Sequence, residues 1–148
     1  YLTVIIDLAD RMVVSWCLSS DMTAVNTVIK AFNLAAEKRK ITTRNKLLFH
    51  SDRGVQYACN EFVELLNHYN VTRSMSRKGN CWDNAVAESF FKTIKIESLN
   101  KFVFSSQSML YTIVFRYIEG WYNTIRFHSA LGCSPVDAFI SKSLNVAA

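Results

Sequence analysis

The 148-residue sequence has few of the residues that mark linkers and special sites: one proline, four glycines and four cysteines. The cysteines are far apart, and no CxxC pair or Cys/His cluster is present, which argues against a structural zinc site. We expect all four thiols to be free. No signal-peptide pattern occurs, and the apolar runs are far too short to span a bilayer. These absences predict a cytoplasmic protein without a membrane partner.

Motifs of several enzyme classes are also missing. The sequence has no G-x-S-x-G element for a nucleophilic serine and no glycine-rich loop of the kind that binds phosphates. It has no internal repeat, low-complexity tract or proline-rich linker, so we expect one domain over residues 1–148, with a helical C-terminal portion from about residue 105. The first residue, Tyr1, lies inside an apolar run without an initiator methionine, which indicates a piece of a longer protein.

Half of the residues are hydrophobic and 13% are aromatic, which is typical of a chain that folds. The formal net charge is +5. This excess fits a polyanionic partner such as DNA, although many basic proteins never bind nucleic acid.

Hydrophobic periodicity predicts an α/β domain with helices on both faces of a sheet. A strand hairpin comes first, and Asp21 is a plausible N-cap for the helix that follows. Ser76 to Trp82 reads as a polar loop, Asp83 as a helix cap, and Ser134-Pro135 as a helix start. The predicted strands cover residues 1–8, 12–18, 47–50 and 71–74, and the predicted helices begin near residues 22, 60, 83, 105 and 135.

Asp52 comes directly after the strand predicted at residues 47–50. Ligand sites in open α/β sheets gather just outside the carboxyl ends of strands. Gly54, two residues on, would let the backbone turn sharply, so that Asp52 is placed to hold a metal ion. An isolated Ser-Asp-Arg-Gly segment more often makes an ordinary turn, and that alternative stays open here.

Thirty-five residues separate Asp52 from Glu88, which lies on a predicted helix. Asn84, Lys92 and Lys95 share its helical face, while Phe90, Phe91 and Ile94 form the buried side. That polar face has an ordinary interpretation as a solvated surface. Considered with Asp52, it also suits two-metal phosphoryl transfer, which needs carboxylates from separate elements converging on two ions. The two lysines would then contact DNA phosphates.

Three long segments resemble one known family. HSDRGVQY at 50–57, SMSRKGNCWDNAVAESFFKTIKIE at 74–97 and YIEGWYNTIRFHSALGCSP at 117–135 are similar to the signature blocks of DDE insertion-sequence transposases encoded in two overlapping frames, relatives of retroviral integrases. The resemblance implies a ribonuclease-H-like catalytic core whose D, D-35-E active site uses two Mg²⁺ or Mn²⁺ ions. By motif match, Asp52 is the second acid and Glu88 the third.

The same resemblance implies a DNA transposase, a polynucleotidyl transferase that cleaves 3′ ends of an insertion sequence and joins them to target DNA. Its expected partners are transposon ends, target DNA and further copies of the chain, in the cytoplasm near the nucleoid. Alternatives are a catalytically incomplete DNA-binding or assembly fragment and a ribonuclease-H-like nuclease. The expected DNA-contacting residues are Arg53, Arg77, Lys78, Asn84, Lys92, Lys95 and Arg126.

The sequence departs from the family at its N-terminal end. The family's first acid lies on a central strand in a block expected about a dozen residues before Tyr1, so we expect this stretch alone to be inactive and its sheet to have a gap. Asp7 is the nearest candidate for that acid, and its block instead predicts a turn or strand-end residue.

Other candidates keep two interpretations each. His50 could orient Asp52 or contact DNA, or it could be structural. His128, near Asn123 and Arg126, could contact DNA or hold the C-terminal helix in place. Trp16, Trp82 and Trp121 are expected in the core by default, with Trp82 the least certain because it lies in a loop.

Overall fold

A computed structural model describes residues 1–79 and 81–146, with side chains at 81, 145 and 146 outside the description. The fold is mixed α/β, as predicted. Its strands are β1 (Leu2–Ile6), β2 (Val13–Leu18), β3 (Leu48–Ser51) and β4 (Thr72–Met75), and its helices are α1 (Lys30–Lys38), α2 (Asn60–His68), α3 (Ala85–Glu97), α4 (Gln107–Tyr117) and α5 (Pro135–Val146).

The chain divides into two compact units. The first unit contains residues 1–5 and 14–85, and the second contains residues 6–13 and 86–148. Each unit is described by itself below. The single domain expected over residues 1–148 stays a prediction.

Strands β1 and β2 form an antiparallel hairpin, because backbone hydrogen bonds join Ser19 to Tyr1 at one end and Asp7 to Met12 at the other. Asp7 lies in the connecting turn, where its Oδ1 accepts from the backbone N–H of Ala9 at 2.8 Å. This is the turn role that the sequence favoured for Asp7.

Strands β3 and β4 pair in parallel, with Leu48 opposite Thr72 and Ser51 opposite Met75. Helix α2 connects them, as parallel pairing requires a crossover. Among the described residues, β1–β2 and β3–β4 are two separate two-stranded sheets.

The core of the first unit lies between α1, α2 and the strands. Its buried residues are Val28, Phe32, Ala36, Phe62, Leu66 and Val71. Phe32 meets Phe62 edge-on at 6.2 Å between ring centroids, and burying each such ring stabilises the fold by about 2–3 kcal/mol. The preceding helical turn begins at Val25 rather than at 22, because Asp21 accepts from Thr23 and makes a turn there instead.

The second unit is built around α3 and α4. Ser106 caps α4 by accepting from the Met109 N–H at 3.0 Å, one of the two start positions that the sequence predicted. Pro135 opens α5, also as predicted. The largest contributors to this core are Phe90, Ile94, Val114, Tyr117, Ile118 and Tyr122.

In the described ranges, no helix is both long and apolar enough to cross a membrane. Cys17, Cys59 and Cys133 are free thiols, as expected. The prediction for Cys81 lies outside the described side chains.

Candidate active site

Asp52 is the first residue beyond the carboxyl end of β3, and it is exposed. The strand ends at Ser51, one residue beyond the predicted run of residues 47–50, which brings the strand end directly to the acid. Asp52 Oδ1 accepts from the backbone N–H of Gly54 at 2.8 Å. Its other oxygen, Oδ2, has no hydrogen-bond partner within the described part of the chain. One oxygen therefore orients the carboxylate while the other faces outward.

Gly54 is needed for space rather than for an unusual backbone angle. Its φ is −57° and its ψ 138°, a conformation open to any residue. A Cβ at this position would lie 3.0 Å from Asp52 Oδ1 and 2.9 Å from the Gln56 amide. The predicted reason, a sharp turn of the backbone, is wrong; the missing side chain instead lets the Asp52 carboxylate fold back onto the loop.

Aromatic packing anchors the loop that carries Asp52 on both sides. Phe49 precedes it and Tyr57 follows it, and their ring centroids lie 6.3 Å apart. Both rings contact Phe62, at 5.3 Å and 6.1 Å. Burial, and then the nearby charge of Asp52, raise the pKa of Tyr57 to about 12. The residues at both ends of the Asp52 loop are therefore packed against the hydrophobic core.

His50 bridges the two strands beside Asp52. Its Nδ1 lies 2.9 Å from Ser74 Oγ and its Nε2 lies 3.2 Å from Ser76 Oγ. Sequence reasoning missed both serines. The signal was present in their spacing, since positions 74 and 76 share one face of a strand, but only the β3–β4 register shows which residue that face meets.

Glu88 lies in the first turn of α3 and is exposed. Within the described residues its carboxylate has no hydrogen-bond or ion-pair partner. Phe90 and Ile94 are buried on the opposite side, as predicted, and Lys92 and Lys95 are exposed. Asn84 is the last residue of the 3₁₀ turn before the helix, and the face that it was predicted to share with Glu88 stays a prediction.

The two acids belong to different units: Asp52 to the first and Glu88 to the second. Their convergence stays a prediction. In the stretches that the structure describes, no group of three or more His, Cys, Asp or Glu residues is placed to hold a metal ion. The chemistry of the two acids nevertheless fits Mg²⁺ or Mn²⁺, because these cations prefer carboxylate oxygens.

The loop before α3 is held by an ion pair. Asp83 accepts from the backbone N–H of Arg77 at 2.9 Å and from its guanidinium at 3.0 Å through each oxygen. These bonds lower the pKa of Asp83 to about 2. Asp83 was expected to cap α3, but it lies in the preceding 3₁₀ turn and its carboxylate binds Arg77 instead. Lys78 beside them is exposed, and Asn80 lies outside the described residues.

Arg126 is also engaged within the protein. Its guanidinium donates to Glu97 at 3.2 Å and lies 5.8 Å from the Tyr122 ring centroid. The Tyr117 hydroxyl donates to the same carboxylate at 2.6 Å. Burial opposes ionisation of Glu97, but these two donors together lower its pKa. Glu97 and Tyr117 were not singled out from the sequence, because no motif or spacing links residues on separate helices.

The remaining candidates divide between core and surface. Asn123 is buried and its side chain binds the backbone of Val13. His128 packs edge-on against Tyr122 at 5.0 Å. Trp82 is 82% exposed and Trp121 44% exposed, so the expectation that both belong to the core is wrong.

Two family matches decide the relationship. Residues 1–81 match a family described as Integrase core domain, and residues 69–135 match a second family of the same description. The chain belongs to the integrase core domain family.

Curated relatives of this integrase core domain are insertion-sequence proteins. The chain is 40% identical over 144 residues to the Transposase InsF for insertion sequence IS3A of Escherichia coli (strain K12), covering 97% of the chain and 49% of that protein. It is 40% identical over 138 residues to the Transposase for insertion sequence element IS904 of Lactococcus lactis subsp. lactis (strain IL1403), covering 93% of the chain and 53% of that protein. The integrase core domain thus spans about half the length of these relatives, and the family resemblance expected from its sequence is confirmed.

Proposed function

We propose that this integrase core domain is part of a DNA transposase that cleaves the 3′ ends of an insertion sequence and joins them to target DNA. The relatives at 40% identity are named transposases of insertion sequences. The chain covers only about half the length of those relatives. The cleavage and joining activity of a complete transposase is therefore part of this proposal.

The observation that carries the proposal is the position of Asp52. Its carboxylate stands at the carboxyl end of β3, where ligands of open α/β sheets gather, and one oxygen is oriented by the Gly54 N–H. A turn residue would need no such support from the aromatic core on both sides. We infer that this rigidity serves to hold a cation in a defined place.

The proposed cofactor is a pair of Mg²⁺ or Mn²⁺ ions, with Asp52 and Glu88 as ligands. Such ions supply an activated nucleophile and charge stabilisation for phosphoryl transfer. The chain's own contribution is to hold its two carboxylates ready.

DNA contact is proposed for seven residues, in three groups. Arg53, Lys78, Lys92 and Lys95 are exposed, and they are proposed to bind phosphates directly. Arg77 and Arg126 have guanidinium groups bonded to Asp83 and Glu97, and their proposed contribution uses the N–H groups that remain. Asn84 is half-buried in the turn before α3, and it is proposed to contact the DNA backbone beside Glu88.

The test is an end-cleavage and strand-transfer assay with the full-length protein. We expect Asp52→Asn and Glu88→Gln each to lower the rate by about a thousandfold or more, the scale seen when one member of a catalytic unit is lost. Both substitutions keep the size of the side chain and remove its charge.

Matched controls exist for both acids. Asp7→Asn changes an acid in the β1–β2 turn, and Glu64→Gln changes an exposed acid on α2. Both are expected to retain activity. Strand transfer at the wild-type rate in Asp52→Asn or Glu88→Gln would remove the site assignment. Hydrolysis of RNA–DNA hybrids without any strand transfer would favour the nuclease alternative.

The proposed partners are transposon ends, target DNA and additional copies of the chain, and the proposed location is the bacterial cytoplasm near the nucleoid.

A further inference from the structure

Beside Asp52, a chain of hydroxyl groups determines the protonation pattern of His50. Ser76 Oγ lies 3.3 Å from the backbone carbonyl of Ser51 and 3.2 Å from His50 Nε2, and its proton is assigned to the carbonyl, which can only accept. With that proton committed, Ser76 Oγ must accept from His50 Nε2 at 3.2 Å. His50 therefore carries a proton on Nε2.

The other ring nitrogen follows from the first. A neutral imidazole has one donor and one acceptor nitrogen, so Nδ1 accepts from Ser74 Oγ at 2.9 Å. The register places His50 opposite Ser74 on the paired strands, and Ser76 is two residues further along the same face. The ring is thus held at both nitrogens, and its rotation would break two hydrogen bonds.

We propose that His50 is a positioning residue that sets the location of the Asp52 carboxylate by clamping the end of β3 to the end of β4. The inference rests on the proposed metal-dependent function. The clamp acts immediately before the acid, since the Ser76 backbone N–H also donates to the Ser51 carbonyl at 2.9 Å and Ser51 Oγ donates to the Asp52 carbonyl at 2.9 Å. Every residue from 50 to 52 is therefore tied to β4 or to its neighbour.

The clamp continues into the segment that leads to α3. Ser76 is followed by Arg77, whose backbone N–H and guanidinium both bind Asp83. Because His50 bonds Ser76, it holds both the end of β3 and the start of the segment that leads to α3. Groups of this kind, which orient a ligand without touching the ion, typically change metal affinity by 10- to 100-fold when they are removed.

The first test reads the ring itself, without metal or activity. Nitrogen chemical shifts of the full-length protein labelled with ¹⁵N-histidine distinguish a protonated ring nitrogen from an accepting one. We expect His50 to show protonated Nε2 and accepting Nδ1 in its neutral form. The conservative variant Ser76→Ala removes the acceptor and is expected to give a mixture of tautomers. A mixture of tautomers in the wild-type protein, the sign of a ring that the serines do not hold, would overturn the proposal.

The second test measures the Mn²⁺ concentration for half-maximal end cleavage, together with Mn²⁺ binding to the protein alone. We expect His50→Ala to raise both concentrations about tenfold, while the rate at saturating Mn²⁺ stays within roughly threefold of wild type. His50→Gln retains an N–H donor for Ser76 and is expected to recover most of the loss. His68→Ala, at an exposed histidine on α2, is the matched control and is expected to change neither.

These outcomes separate the two proposals. If Asp52→Asn abolishes cleavage while His50→Ala lowers only thermal stability and leaves the Mn²⁺ dependence unchanged, His50 is structural and this inference is wrong. If Asp52→Asn retains full cleavage, the proposed function fails instead.

Discussion

His128 shows how a single buried ring makes stability depend on pH. Its Nε2 is buried and has no hydrogen-bond partner in the described part of the molecule. Burial, followed by the charges of Arg126 and Arg11, lowers the pKa of His128, while Glu97 acts weakly in the opposite direction. The ring is therefore neutral in the folded protein at pH 7.

We predict that His128 reduces stability under mildly acidic conditions. The unfolded chain takes up a proton near its ordinary pKa of 6.5, and the folded protein takes it up only at lower pH. The free energy of unfolding should therefore fall as pH drops from about 6.5 through the lower folded pKa. Urea unfolding of wild type and His128→Phe at several pH values between 7.5 and 5.5 measures this, and the variant is expected to lose less stability.

The comparison needs a control because three histidines are present. His68→Asn removes an exposed histidine and is expected to keep the wild-type pH dependence. If the free energy of unfolding falls equally with pH in His128→Phe and in wild type, the lowered pKa of His128 does not contribute to the pH dependence of folding stability.

At the scale of elements, the side-chain amide of Asn123 forms hydrogen bonds with the backbone of β2 of the kind that a neighbouring strand would form. Asn123 Oδ1 accepts from the backbone N–H of Val13 at 2.9 Å, and its Nδ2 donates to the Val13 carbonyl at 3.0 Å. Its own carbonyl accepts from Val136 at 2.9 Å in the first turn of α5. One residue at the end of a helical segment thus holds the first residue of β2 and the start of α5. This contact joins Asn123, not His128, to the C-terminal helix, so both interpretations of His128 stay predictions.

We predict that Asn123→Ala costs about 2–4 kcal/mol of folding stability, because it leaves the buried N–H and C=O of Val13 without partners. Equilibrium denaturation measures the loss. Asn67→Ala, at an exposed position on α2, is expected to stay within about 0.5 kcal/mol of wild type. Equal stability of the two variants would show that water replaces the lost bonds at Val13.

At the scale of the molecule, the net charge of +5 bears on how DNA is held. Each phosphate neutralised by a lysine steepens the dependence of log affinity on log salt concentration by about 0.9. We predict that Lys92→Ala/Lys95→Ala in the full-length protein reduces this slope by about 1.8 and weakens binding equally for different DNA sequences. Titrations at several salt concentrations provide the measurement.

A matched pair tests whether position or charge alone matters. Lys30→Ala/Lys46→Ala removes the same charge from exposed sites far along the chain from Glu88. We expect that variant to keep most of the salt slope. Identical slopes for both double variants would mean that the lysines of α3 act only through net charge.

Most elements of the molecule could be predicted from local sequence. The apolar run of β1, the Ser106 start of α4 and the Pro135 start of α5 lie where periodicity and capping preferences put them. The mixed α/β class and the family follow from the same patterns and from three ordered motifs. The predicted end of β3 was one residue short, because a polar serine carries no strand signal of its own.

Pairings between distant residues were decided by tertiary structure alone. The sequence by itself determined where Asp52 and Glu88 lie on their elements, since strand ends and helix faces depend on neighbours a few residues away. The bonds of His50 to Ser74, of Arg77 to Asp83, and of Asn123 to Val13 depend on register and packing, which bring residues 6 to 110 positions apart within hydrogen-bond distance. Directional bonds of this range leave no periodicity in the chain, so only the folded backbone could assign them.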